Sequence, residues 1–350
     1  MNENLKQQWE NLTREMPKLR IRDAAKHLNV SEAELLSTKI GAKVKLLKPD
    51  WANFLLSTTN LGYVMALTRN ESCVHERKGV YKNLSVNGQT ALAVGEDIDL
   101  RIFLQDWKYG FYVEETRDNG IMRSFQFFDS KGEAVHKIYQ TENSDIDGWE
   151  TVKNQFVDET QTFTTPSTEI KQKTETNDSK EIPNFLEAWS KLEDTHDFFS
   201  LLRKFNYSRE FSLVAADGKF SFKISKEYFL SLMEQVSQLE MEIMIFVGNP
   251  GMIQIHTGKI QKLEPMGPWF NVLDPEFNLH LRTDHIESVW IVDKPTKDGL
   301  VTSVEVFDKE GNLILQMFGK RKPGIPQSDA WYQLTRRYAT KRDKLNSSLV

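Results

Sequence analysis

Residues able to do chemistry are few in this chain, and their types narrow what that chemistry is. There are seven histidines (His27, His75, His136, His196, His256, His280 and His285) and one cysteine, Cys73. A lone cysteine forms no internal disulfide and makes no Cys-rich zinc site. Cys73 has no thiol-activating motif around it and reads as a small apolar core residue. No GxGxxG, P-loop or HExxH motif is present, so dinucleotide, nucleotide and zinc-hydrolase chemistry lack their usual fingerprints. His280 and His285 bracket Arg282 and Asp284 near a strand end, a spacing that argues only weakly for a metal. His196 has a more particular setting, Asp194-Thr195-His196-Asp197-Phe198-Phe199, beside a helical aromatic face. Two readings fit it. Either Asp194 or Thr195 caps the helix that follows, or the imidazole projects from that helix into an apolar cleft, as an axial iron ligand requires.

The cations come next. Arg209 follows the same helical region, Lys294 ends an inward-looking strand, and Phe318-Gly319-Lys320-Arg321-Lys322-Pro323-Gly324 follows the last hairpin strand. Such a basic run is ordinarily a solvated turn. Lys and Arg on an aromatic-rich sheet also suit a flat, apolar ligand with carboxylates along one edge.

These residues sit on a duplicated scaffold. Shifting the chain by 179 residues lays 64–139 over 243–318 without a gap. Few aligned positions are identical, but turn residues match: Asn70/Asn249, Gly79/Gly258, Gly88/Gly267, Gly120/Gly299 and Gly132/Gly311, with Phe128-Asp129 repeated as Phe307-Asp308. Matched glycines imply matched turns. Each copy begins with a helical region. In the first, RIRDAAKHLNVSEAELLSTKI has helical spacing, with Ser31 as N-cap and Glu34 three residues later. In the second, NFLEAWSKLEDTHDFFSLLRKF reads as helical, with Leu186, Trp189, Leu192, Phe198, Phe199 and Leu202 as its apolar face. Short β-rich runs follow, among them FNLHLR, SVWIVDK, VTSVEVFD and LILQMFG, with hairpin turns at Asp298-Gly299 and Glu310-Gly311. The expected class is α+β: a tandem structural repeat with two large antiparallel β-sheets, each with associated helices. The expected division is an N-terminal repeat over 1–160, an exposed linker rich in Thr, Lys, Glu, Ser and Asp over 161–183, and a C-terminal repeat over 184–350.

Composition bounds the class of partner. Of 350 residues, 39% are hydrophobic and 27% charged, the balance of an ordinary globular protein. No stretch reaches the roughly 18 apolar residues that a spanning helix needs, and the polar start MNENLKQQWENL has no secretory core. With a single cysteine, these features lead us to expect the cytoplasm and no membrane insertion. A net charge of −5 disfavours a phosphate-backbone binder, although FGKRKPG keeps a nucleic-acid reading open.

The chain resembles the bacterial hemin-degrading factor family, the cytoplasmic haem-handling proteins of haem-uptake systems. The resemblance runs through RIRDAAKHLNVSEAELL, VMALTRNE with VHERKGVY, and IDLRIFLQDW in the first half. In the second it runs through DTHDFF, IFVGNPGMIQIHTG, GPWFNVLDPEFNLHLR, VWIVDKPTKDGLVTSVEVFD and FGKRKPG. It implies haem held on the second copy's side, with His196 as axial ligand and Arg101, in IDLRIFL, reaching the distal side. It makes Arg209, Lys294 and Arg321 the basic residues around the haem and its propionates, and Phe103 and Phe318 pocket aromatics. The family's pattern departs at Leu315, near where a tyrosine is expected. Arg101 aligns with His280 between the copies, which favours one haem per chain, with His75 as a weaker second ligand. The implied activity is breakdown of haem with an external reductant (NADPH, NADH or ascorbate), by oxygen-dependent ring opening or by reductive, NADH-linked chemistry. The alternative is a non-catalytic chaperone delivering haem to a separate haem oxygenase. Implied partners are a redox protein or a haem-uptake ABC transporter, for a monomer or dimer.

Overall fold

The computed structural model describes residues 2–41, 43–117, 120–166, 175–322 and 324–347. Of the linker expected over 161–183, residues 167–174 lie outside the described residues, as does Pro323 of the basic run. The chain forms two compact units. The first comprises Met1–Arg69, His75–Ile170 and Gly248–Gln254; the second comprises Asn70–Val74, Lys171–Val247 and Ile255–Val350.

The N-terminal half runs α1 (Asn2–Glu15), α2 (Ile21–His27), α3 (Glu32–Ser37), β1 (Val44–Leu46), α4 (Trp51–Ser57), β2 (Gly62–Arg69), β3 (Cys73–Gly79), β4 (Leu84–Asn87), β5 (Thr90–Val94), β6 (Asp99–Phe103), β7 (Tyr109–Arg117), β8 (Gly120–Phe128), β9 (Ala134–Ser144) and α5 (Ile146–Phe156). The C-terminal half runs α6 (Ile182–Ser190), α7 (Asp197–Phe205), α8 (Arg209–Ala215), β10 (Ser221–Ile224), α9 (Lys226–Gln238), β11 (Ile243–Asn249), β12 (Met252–Gly258), β13 (Leu263–Met266), β14 (Trp269–Leu273), β15 (Phe277–Arg282), β16 (Ser288–Thr296), β17 (Gly299–Phe307), β18 (Leu313–Gly319) and α10 (Asp329–Ser347). This is the expected α+β class with two large antiparallel sheets. One sheet carries the order β1-β7-β8-β9-β2-β3 and the other β10-β16-β17-β18-β11-β12, so adding nine to each label of the first gives the second.

The duplication extends to local geometry. Asp129 Oδ1 accepts from the backbone N–H groups of Lys131 and Glu133; Asp308 Oδ1 accepts from those of Glu310 and Asn312. Each turn then needs a left-handed residue, supplied by Gly132 at φ 78° and Gly311 at φ 77°. The register shift beside each turn also matches, at Phe127/Phe128 and at Val306/Phe307.

Each unit buries its own core. In the first, α4 and α5 cover the sheet with Trp51, Phe54, Trp149 and Phe156 against Phe125 and Phe127, and Met252 completes the cluster. In the second, α9 and α10 contribute Phe229, Leu232, Met233, Trp331 and Leu334, and Cys73 joins them. Met252 and Cys73 come from the short segment that each unit takes from the other half of the chain. In the first unit, Asn249 Nδ2 donates to the carbonyls of Arg69 and Val135. In the second, Asn70 Nδ2 donates to the Ile314 carbonyl.

The helix ends follow their sequence signals in part. Ser31 and Glu34 form the expected reciprocal capping box at α3. The helix expected across NFLEAWSKLEDTHDFFSLLRKF is two helices, α6 and α7, with a turn between them. The Asp194 carboxylate takes the backbone N–H of His196 at 2.8 Å, which starts a new helix there. Phe198, Leu201 and Leu202 of α7 turn inward, which puts Phe199 on the opposite face at 62% exposure rather than in the core.

Candidate functional site

His196 stands at the N-terminus of α7 with its side chain 92% exposed. Its Nδ1 lies 2.6 Å from Asp194 Oδ1, and Nε2 makes no hydrogen bond among the described residues. An imidazole that donates through one nitrogen presents a lone pair on the other, the state a metal-binding histidine requires. Neither Asp194 nor Thr195 caps α7, whose N-cap residue is His196 with no side-chain cap bond; Asp194 closes a turn onto the His196 N–H, and the ring projects outward.

Two residues along α7, Phe198 is fully buried and packs edge-on against Trp189, with ring centroids 4.6 Å apart. Two cations lie over its ring. Arg209, the first residue of α8, has Cζ at 5.3 Å from the centroid, and Lys294 of β16 has Nζ at 4.7 Å. Ser208 fixes the start of α8 by accepting the Phe211 N–H, which sets the direction in which Arg209 leaves the helix.

Both cations converge on Glu305 of β17. Arg209 donates to it twice, from Nε at 2.7 Å and Nη2 at 2.9 Å, and Lys294 Nζ donates at 2.8 Å. Gln316 and Ser303 add bonds at 3.0 and 3.1 Å. Burial opposes the charge on Glu305, yet Arg209 and Lys294 hold its carboxyl well below the usual range. Burial weakens the basicity of Lys294 against the pull of Glu305. Two cations share one carboxylate, leaving a surplus of positive charge in a shielded setting.

Strand register assembles the rest. Ser303 pairs with Phe318 and Glu305 with Gln316, while Lys294 pairs with Val301. Lys294, Ser303, Glu305, Gln316 and Phe318 thus point to one face of the sheet. Phe318 is half-buried and meets Phe246 at 5.2 Å. Arg321 follows β18; its Nε is buried and has no hydrogen-bond partner, and its charge reaches Asp194. An orphaned guanidinium nitrogen, an open imidazole and a surplus cation fit a flat ligand that carries anionic groups and a metal.

Arg101 and Phe103 belong to the first unit, on β6, where they share one strand face. Arg101 is paired with Asp99, and its Nη1 donates to the Leu100 carbonyl at 3.2 Å. Phe103 is half-buried, and its N–H donates to the Gly251 carbonyl at 3.0 Å. His75 is fully buried in β3. Cys73 is buried too, and burial raises its thiol far above the usual range. His280 bonds Asn271 at 2.7 Å and His285 bonds Ser72 at 3.0 Å. Among the described residues no group of three or more His, Cys, Asp and Glu side chains is placed to hold a metal ion.

Sequence reasoning passed over Glu305, Phe198 as the floor beneath the cations, and Asp194 as the orienter of His196. The repeat gave no signal for Glu305, whose counterpart is a glutamine. At the positions matching Lys294, Glu305 and Gln316, the first copy has Glu115, Gln126 and Lys137. There Lys137 is buried and pairs with Glu32 of α3, and Glu115 acts on it as well. Glu32 also acts on Arg22 and Glu115 on Lys39, so the same scaffold carries a polar cluster of different composition.

Comparison with known proteins agrees with the architecture. The model of the haemin-degrading HemS/ChuX domain matches twice, over residues 29–156 and 206–338. The hemin transport protein HemS of Yersinia enterocolitica is 35% identical over 336 residues, covering 95% of this chain and 96% of that protein. The crystal structure of holo-PhuS, a heme-binding protein from Pseudomonas aeruginosa, superposes with a TM-score of 0.93 at 42% identity, covering 97% of this chain and 99% of that one. The structure of ChuS, named an E. coli heme oxygenase, gives a TM-score of 0.87 at 31% identity, covering 96% and 99%. With two copies of the domain and full-length relatives at this identity, the chain belongs to the haemin-degrading HemS/ChuX family.

Proposed function

We propose that this chain binds haem on its second unit through His196 and breaks it down with electrons from an external reductant, freeing iron after haem uptake. The observation that carries the reading is the open Nε2 of His196 on a unit where Arg209 and Lys294 share the one carboxylate of Glu305 and Arg321 keeps a buried Nε without a hydrogen-bond partner. Haem is the substrate and supplies the iron and the conjugated ring on which the chemistry occurs. The chain supplies position. His196 offers a neutral nitrogen to the metal, Arg209, Lys294 and Arg321 attract the propionates, and Phe318 provides apolar surface. Arg101 and Phe103 of the first unit are assigned to the haem environment on the family resemblance, Arg101 on the distal side. Relatives named for hemin transport and for heme oxygenase support a place in haem utilisation. No helix is long and apolar enough to cross a membrane among the described residues; the compartment we propose is the cytoplasm, with a haem-uptake transporter or a redox protein as partner.

The test is an absorption titration with hemin, then addition of NADPH, NADH or ascorbate with catalase present. A saturable Soret shift that His196→Ala removes, followed by Soret loss and growth of a tetrapyrrole product, is the expected result. Persistence of breakdown without oxygen selects the reductive route. A delivery role is the second reading, favoured by the 92% exposure of the His196 side chain, which gives bound haem a short way out. A Soret band that survives reductant unchanged selects it.

A further inference from the structure

A surface histidine left to itself populates both neutral tautomers and turns freely about its side-chain bonds. His196 does neither in this structure. Oδ1 of Asp194, two residues earlier, accepts the His196 backbone N–H at 2.8 Å and lies 2.6 Å from Nδ1 of the same residue. One oxygen therefore grips backbone and ring together, at the point where the chain enters α7. The grip puts the proton on Nδ1 and the lone pair on Nε2, and it holds the ring's direction while the rest of the imidazole is in water. His136 makes the contrast. It is fully buried, and its two nitrogens face the hydroxyls of Thr68 and Tyr81, so it has neither a charged partner nor an open nitrogen.

A carboxylate behind an imidazole does more than orient it. By drawing on the Nδ1 proton it pushes electron density toward Nε2, which strengthens donation to a metal and favours the higher oxidation state. We propose that Asp194 is the positioning residue of the haem site, holding His196 in its Nδ1-protonated form and making it a strong iron donor. The inference rests on the reading that His196 ligates haem, and goes beyond it in naming the group that sets the ligand's strength. Asp194 is itself half exposed and outside the core clusters, so its variants are expected to keep the fold, Asp194→Asn keeping also the acceptor for the His196 N–H, as unchanged thermal melting of the haem-free proteins would verify.

The full-length protein is titrated with hemin as wild type, His196→Ala, Asp194→Ala, Asp194→Asn and Asp194→Glu. Resonance Raman spectra of the reduced complexes then report the iron–histidine stretch, and redox titration reports the midpoint potential. Asp194→Ala is expected to bind hemin about 10–100-fold more weakly, with a lower stretching frequency and a more positive potential. Asp194→Asn keeps an acceptor without the charge, so it should retain more affinity than Asp194→Ala while losing the frequency. Asp194→Glu should restore part of both. Affinity, frequency and potential all unchanged in Asp194→Ala, with His196 still required for the Soret shift, would overturn this inference alone. A Soret shift that His196→Ala leaves intact would overturn the haem-ligand reading and this inference with it.

Discussion

A carboxylate surrounded by donors behaves differently from one in water. Glu305 is fully buried and takes hydrogen bonds from Arg209, Lys294, Gln316 and Ser303. Glu305→Gln would leave two shielded cations sharing no anion, so the second unit should lose about 3–5 kcal/mol, read as a lower urea midpoint. Adding Lys294→Met should recover part of that loss. His136 gives a second prediction, with the opposite chemistry. Burial draws its pKa down to about 3 from 6.5, against a hydrogen bond to the Leu67 backbone. The folded state keeps the ring neutral while the unfolded chain takes up a proton, so this contribution is whole above pH 6.5 and is lost as pH falls toward 3. Its slope is at most about 1.4 kcal/mol per pH unit. Urea midpoints should fall from pH 6.5 to 5 in the wild type, and His136→Gln should flatten that part of the curve. At this scale the sequence named His196, Arg209, Lys294 and Arg321 through family motifs. It could not show Glu305 among them, because an acidic residue alternating through VTSVEVFD is as easily outward-facing until the strand register is known.

Elements carry the next level of information. The capping box at α3 was legible because its two partners lie three residues apart, and the structure forms both bonds. Ser31→Ala should cost about 1 kcal/mol and should lower the thermal midpoint of the first unit, leaving the proposed Soret shift through His196 unchanged. The paired turns at Asp129 and Asp308 were legible for the same reason, since local spacing fixes them. The break between α6 and α7 was not read from periodicity, because Leu192 keeps the helical spacing across an otherwise polar stretch, 191–196. Between the two helices the chain turns, with Leu192 N–H on the Trp189 carbonyl and Asp197 N–H on the Asp194 carbonyl, and the Asp194 side chain in that turn also aims His196. The exposed Phe199 follows from the same break, since α7 starts afresh with its own inward face.

At the scale of the molecule, the 179-residue repeat was readable because turns are preserved where other residues have drifted. What alignment alone did not reveal is that the shared scaffold carries different polar clusters, Arg209, Lys294 and Glu305 in one copy and Glu32, Glu115 and Lys137, with Arg22 and Lys39 beside them, in the other. Equivalent strand positions on the two frames thus hold different charged and polar residues, Glu115, Gln126 and Lys137 against Lys294, Glu305 and Gln316. The exchange of short segments was likewise unreadable, since no local pattern marks Gly248–Gln254 as part of the first unit or Asn70–Val74 as part of the second. A fragment ending at residue 170 would lack Met252 from its core and the bond from Trp107 Nε1 to the Gly251 carbonyl. It should melt well below the first unit of the intact chain, and a synthetic peptide spanning 243–258 should raise its midpoint in scanning calorimetry.

That exchange also sets an order in time. A nascent chain emerges from the ribosome N-terminus first, so the first unit has most of its strands long before Gly248–Gln254 exist. At usual elongation rates the interval is on the order of ten seconds. Throughout it, the place of Met252 in the cluster that holds Trp107 and Val64 stays unfilled, and the half-made body is open to proteases and chaperones. The second unit has no such wait, because Asn70–Val74 are synthesised before the rest of it. The half of the chain that is translated first is therefore the half whose folding must wait for the other.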